Sequence, residues 1–88
     1  MKKVQFTQIA LDDLKSFKTG NQKLIFKILE LIEDIQKNPF EGLGKPEPLK
    51  HEYAGYWSRR INEEHRLVYK ISDEAIEIYR CSGHYTRG

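Results

Sequence analysis

Apolar residues recur along this chain at two different periods, and the changeover splits it into halves of different structure. Residues 2–6 (Lys-Lys-Val-Gln-Phe) alternate in polarity and predict a short first strand. Thr7 is placed to cap a helix over about 8–18, whose Ala10, Leu11, Leu14 and Phe17 fall at helical spacing. Gly20 breaks the pattern, and Asn21 can cap a second helix. That helix carries Ile25, Ile28, Ile32 and Ile35 on one stripe, flanked by Leu24, Leu29 and Leu31. It should stop at Asn38, because Pro39 disfavours helical backbone in the residue before it.

Residues 39–48 contain three prolines and two glycines and predict a connecting loop. Beyond them the period changes to two. Tyr56–Ile61 predicts a strand, Asn62-Glu63-Glu64 a turn, His65–Ile71 a second strand, Ser72-Asp73-Glu74 another turn, and Ala75–Cys81 a third strand. The order β-α-α-β-β-β indicates an α+β fold, a single domain over residues 1–88 with two helices on one face of a mostly antiparallel sheet. On the middle strand of this meander, Leu67, Tyr69 and Ile71 share one face and Arg66, Val68 and Lys70 the other. On the strand before it, Ser58 and Arg60 point together, opposite Trp57, Arg59 and Ile61. If helices cover the Leu67 face, Arg66 and Lys70 stand on an open face, suited either to a polyanionic ligand or to water.

Composition narrows the class. Eighty-eight residues make one core, and 39% hydrophobic with 32% charged residues is a globular balance that argues against a disordered tail. No apolar run nears the roughly 18 residues that would span a membrane. No signal-peptide core follows Met1-Lys2-Lys3, since Asp12, Asp13 and Lys15 arrive too early. The single cysteine, Cys81, excludes an internal disulfide and is compatible with a reducing cytoplasm. Net charge is only +2, yet all five arginines (Arg59, Arg60, Arg66, Arg80 and Arg87) lie in the second half. An arginine fork grips phosphate oxygens in pairs where lysine cannot. It also simply suits strands, and composition does not separate the two readings.

Three kinds of residue could carry chemistry. Glu47 sits between Pro46 and Pro48, in a stiffened and extended stretch that would orient a catalytic base, although loop acids are usually just solvated. The histidines His51, His65 and His84 form no metal-binding pattern. Cys81 and His84 are three apart without two further ligands nearby, so no metal or other cofactor is expected. His84 follows the last strand and can exchange a proton near neutral pH; so close to the chain end, a mobile residue without function is the alternative.

The run from Asn38 to His51 (Asn-Pro-Phe-Glu-Gly-Leu-Gly-Lys-Pro-Glu-Pro-Leu-Lys-His), the segments Tyr56–Ile61 and Glu63–Tyr69, and the pair His84-Tyr85 together resemble the YoeB-like (Txe) toxins of the RelE/ParE-type superfamily. The likeness covers residues 1–85, with 38–69 its specific part. It implies a type II toxin acting as a ribosome-dependent endoribonuclease, in which the 2′-OH of the messenger RNA attacks the adjacent phosphate without a metal ion. By the same resemblance Glu47 is the general base, Arg66 the clamp on the transition state and His84 the general acid. Tyr85, Lys50 and Arg60 then hold the substrate. The implied partners are a YefM-like antitoxin, the ribosome with its mRNA, and a second toxin copy; no membrane is implied. Two departures stand out. Asp12-Asp13-Leu14 and Phe17 replace the family's Asp-Asp-Tyr and a later Trp on the first helix, and Thr86-Arg87-Gly88 extend past the terminal pair. The rival reading is a ParE-like gyrase poison of the same fold, which has no use for Glu47, Arg66 and His84 together. A simple binding module is a second rival, and the modest charge without a helix-turn-helix pattern counts against DNA.

Overall fold

The computed structural model describes residues 2–83 of the chain. Its elements run β1 (Lys3–Phe6), α1 (Gln8–Ser16), α2 (Gln22–Lys37), a two-residue β2 (Glu47–Pro48), a 3-10 turn (His51–Tyr53), β3 (Trp57–Arg60), β4 (Arg66–Ile71) and β5 (Ala75–Arg80). The five strands form one sheet in the order β1-β5-β4-β3-β2. The pairings β2–β3, β3–β4 and β4–β5 are antiparallel, and β1 lies parallel to β5. This is the expected α+β arrangement, mostly antiparallel, with one added edge strand. Among the described residues no helix is long and apolar enough to cross a membrane.

Local signals set the helix ends. The Thr7 hydroxyl accepts a hydrogen bond from Ala10 N at 3.1 Å, satisfying one of the free amides of the first turn. The same hydroxyl donates to Tyr79 O at 2.7 Å, tying that cap to β5. Helix α1 closes at Ser16, where Phe17 N turns back to Leu14 O. Helix α2 ends at Lys37 with Asn38 extended before Pro39, while Asn21 at its start makes no side-chain cap.

The helical stripe and the period-two faces meet in one core. Ile28, Leu31, Ile32 and Ile35 of α2, with Ala10 and Phe17, bury against Leu67, Tyr69, Ile76 and Ile78 of the sheet. Val4 and Phe6 pack on the same cluster, lying opposite Ile76 and Ile78 in the β1–β5 register. Each fully buried Leu or Ile stabilises the fold by about 1.5–3 kcal/mol, so the α2 stripe alone outweighs any surface ion pair. Leu29 flanks this stripe but stays half exposed, and Phe26 is 71% exposed. Trp57 is half-buried at the margin, its ring 4.8 Å from that of Phe40.

Strand β2 was expected to be loop. Prolines hold Glu47 extended from both sides, and an edge position spares Pro48 the amide it lacks. Glu47 therefore lies opposite Ser58, and Pro48 opposite Trp57. The register also slips between Val68 and Tyr69, so that β5 opposes them with Arg80 and Ile78. This bulge leaves Tyr79 as the extra residue.

Candidate active site

Antiparallel partners share a sheet face, which makes the register a map of the site. Glu47 is opposite Ser58, Ser58 opposite Val68, and Arg60 opposite Arg66. Glu47, Arg60 and Arg66 therefore belong to the face away from the helices. Two strand spacings and two residues of rise put the Cα atoms of Glu47 and Arg66 about 12 Å apart. That span fits two side chains with one phosphodiester between them. Lys50 comes two residues after the end of β2 and is exposed. On the same face Lys70 Nζ lies 5.4 Å from the Tyr56 ring centroid, and the Tyr56 ring in turn meets Tyr53 edge-on and Tyr79 at a tilt.

Arg66 is more enclosed than alternation suggested, at 8% exposure. Its Nη1 donates to Asn62 O at 2.8 Å, His65 O at 3.1 Å and Glu63 O at 3.5 Å, so the β3–β4 turn grips one side of the guanidinium. Its Nε and Nη2 meet no acceptor among the described residues. Directly across stands Arg60, exposed and without an ion pair among those residues. Like charges opposed across a sheet repel, and an anion between them turns that repulsion into attraction.

Glu47 owes its place to a residue the sequence reading did not single out. Arg59 is fully buried on the helix side, and its five N–H groups meet five acceptors. Nη1 donates to the Asp34 carboxylate at 2.6 Å and to Leu43 O at 3.2 Å; Nη2 donates to Asn38 O at 2.6 Å and Glu41 O at 3.1 Å; Nε donates to the Tyr69 hydroxyl at 3.1 Å. The Tyr69 hydroxyl in turn donates a hydrogen bond to Pro39 O at 2.7 Å. Thus one guanidinium fastens residues 38–43 to the sheet just before β2. The Leu43 amide and then Arg59 hold the Asp34 carboxyl below its ordinary range, while burial pushes the Tyr69 phenol up against the opposing pull of Arg59. Gly44, at φ +79°, lets its carbonyl accept from Arg60 N at 2.6 Å. A Cβ there would sit 3.0 Å from Arg60 O and the Leu31 side chain, so only glycine fits.

The other end of the face is pinned at Gly83. Its carbonyl accepts from Arg66 N at 2.9 Å, and its amide donates to His65 Nδ1 at 3.0 Å. His84 and Tyr85, expected here as acid and substrate contact, lie outside the described residues. Among those described, no three His, Cys, Asp or Glu side chains gather where a metal ion could sit. Burial, reinforced by Asp13, pushes the Cys81 thiol up to about 12, which removes it from thiolate chemistry at neutral pH.

The structure thus brings Glu47, Arg60 and Arg66 to one face with Lys50 at its margin. The roles of Arg59 and His65 escaped the sequence reading. A signal did exist for Arg59, since the period of two had already set it beside Trp57 and Ile61, two residues suited to a covered face.

Comparison with known proteins gives a consistent result. The family model described as YoeB-like toxin of bacterial type II toxin–antitoxin system matches residues 6–85. The toxin YoeB of Synechocystis sp. is 49% identical over 85 residues, covering 97% of this chain and 99% of its own. A YoeB dimer from Staphylococcus aureus superposes with a TM-score of 0.89 at 46% identity, covering 96% and 98% of the two chains. A YoeB–YefM complex from the same organism gives 0.86 at 46% identity, covering 97% and 99%.

Proposed function

Since the chain belongs to the YoeB-like toxins of bacterial type II toxin–antitoxin systems, we propose that it is a ribosome-dependent endoribonuclease that cuts A-site mRNA and so inhibits translation. Glu47 takes the proton of a ribose 2′-OH. The freed oxygen attacks the adjacent phosphorus, and the bond from phosphorus to the 5′-oxygen breaks. His84 gives a proton to that leaving oxygen. The products are a 2′,3′-cyclic phosphate and a 5′-hydroxyl, and the balance closes without a metal ion or other cofactor. Arg66 meets the charge that builds on the phosphorane oxygens, Arg60 and Lys50 hold the flanking phosphates, and Tyr85 packs on the substrate.

The observation that carries this reading is the enclosed guanidinium of Arg66. The turn holds one nitrogen, while Nε and Nη2 meet no acceptor among the described residues, on the face that Glu47 shares. A clamp fixed before the reaction loses little to reorganisation when the charge appears. On the same reading the cytoplasm is the site of action, a YefM-like antitoxin covers this face, and toxin copies pair as the Staphylococcus aureus YoeB does.

Primer extension on mRNA incubated with translating ribosomes and toxin pre-treated with EDTA tests the proposal. Cuts at A-site codons are expected, and a 2′-O-methyl group at the cut site should abolish them. A gyrase cleavage assay run beside it separates the ParE-like alternative. Gyrase poisoning without mRNA cleavage, or activity that only Zn²⁺ restores, would overturn the assignment.

A further inference from the structure

We propose that His65 is a positioning residue whose imidazole clasps the backbone at Gly83 and which thereby holds in place the Arg66 guanidinium and the Gly83 peptide that braces it. The inference rests on the nuclease reading above for its consequence, though not for its geometry. Both backbone groups of Gly83 are held by consecutive residues: its amide donates to His65 Nδ1 at 3.0 Å, and its carbonyl accepts from Arg66 N at 2.9 Å. Gly83 lies at φ +90°, a conformation that favours glycine, so the chain has been turned deliberately to present both groups.

The imidazole is itself well fixed. Its side chain is 14% exposed, and its ring lies 5.1 Å from that of Phe17 at a 58° tilt. Asn62 Oδ1 accepts from His65 N at 2.7 Å and from Glu64 N at 3.0 Å, which sets the turn beneath it. To accept from Gly83, Nδ1 must be unprotonated, so the neutral ring carries its hydrogen on Nε2. The Glu64 carboxylate, 3.7 Å from Nε2, favours that form. Meanwhile His65 O accepts from Arg66 Nη1 at 3.1 Å. One residue therefore holds the guanidinium through its carbonyl and the start of the tail through its ring. This ties the proposed clamp and the Gly83 peptide to a common support, where a small misplacement of the clamp would be costly.

Two substitutions separate the clasp from mere packing. Asparagine places an acceptor oxygen near the position of Nδ1, while glutamine places one near Nε2, out of reach of Gly83. Both lose the ring's contact with Phe17. For wild type, His65→Asn and His65→Gln, amide hydrogen exchange at Gly83, single-turnover cleavage of ribosome-bound mRNA and the melting temperature are measured on the full chain. Exchange at Gly83 should stay slow in His65→Asn and speed up roughly two- to tenfold in His65→Gln. The saturated rate should fall about ten- to a hundredfold in His65→Gln, with His65→Asn restoring most of it at an equal melting temperature and unchanged half-saturation. Equal behaviour of the two variants in exchange and rate overturns the proposal, as does an unprotected Gly83 amide in the wild type. A wild-type protein that fails to cut mRNA defeats the nuclease reading instead, and the exchange comparison still decides the clasp.

Discussion

Replacing Arg59 by methionine removes five buried donors at once and keeps most of the side-chain volume. The carbonyls of Asn38, Glu41 and Leu43 lose a partner each, and the Asp34 carboxylate retains only the Leu43 amide, at 2.9 Å. Deleting one member of a buried ion pair costs about 3–5 kcal/mol. Water can reach Asp34, whose side chain is 21% exposed, so the lower part of that range, about 3–4 kcal/mol, applies. An unfolding entropy near 2.1 cal/mol/K per residue over 88 residues is about 0.18 kcal/mol/K, which converts the loss to roughly 16–22 °C in Tm. Arg60→Met, one residue along and exposed, should change stability by no more than about 0.5 kcal/mol, or roughly 3 °C. Calorimetry on both variants supplies the contrast. Glutamyl endopeptidase should also cut after Glu41 sooner in Arg59→Met, because the loop that Arg59 anchors is released. An Arg59→Met protein melting within roughly 5 °C of wild type would refute the claim that this guanidinium holds the loop.

Three other outcomes follow from the same contacts. Arg66→Lys keeps the charge but loses the fork, so single-turnover cleavage should drop about 10²–10³-fold with only a few degrees lost in Tm; a near-normal rate would remove Arg66 from the transition state. His84→Gln should slow cleavage by roughly 10²–10⁴ while ribosome binding persists, and a chain ending at Tyr85 should remain active; wild-type rates from a chain ending at Gly83 would eliminate the terminal pair from the mechanism. Asp34 has a depressed folded-state pKa, so its contribution is complete above the unfolded carboxyl value near pH 4 and fades as pH falls below it. Acid titration followed by circular dichroism should show a shallower loss of stability below about pH 4 in Asp34→Asn, and unchanged slopes would deny that linkage.

What the sequence made readable was local. The α2 stripe, the Thr7 cap and the stop before Pro39 each depend on residues within a turn or two of one another, and they stand where expected. The two faces within β3 and within β4 follow from a period of two, and the register between the strands then sets Arg60 opposite Arg66. Strand β2 was missed because its partner Ser58 lies eleven residues on and nothing near Glu47 names it. Arg59 was grouped with phosphate-gripping arginines, since its acceptors are mainly backbone carbonyls and carbonyls leave no mark in a sequence. The same holds for His65, whose partner is a glycine amide 18 residues away. Arg66 proved more enclosed than alternation implies because its own turn folds back over it.

The pairing of β1 with β5 joins Lys3 to Ala75, the first strand to the last, across 72 residues. Such a contact closes a long loop, and the entropy of that closure is set against the burial it brings. It also imposes an order on the chain's manufacture. Of the five strands β1 is made first, yet it has no neighbour to pair with until β5 exists, and β4 lacks one of its two flanks until that same moment. Arg66 rides on β4, and the Gly83 peptide that braces it is made later still. A chain cut short anywhere before residue 83 therefore carries Arg66 without its brace, so the candidate face is a property of the finished sheet and not of any fragment leading up to it.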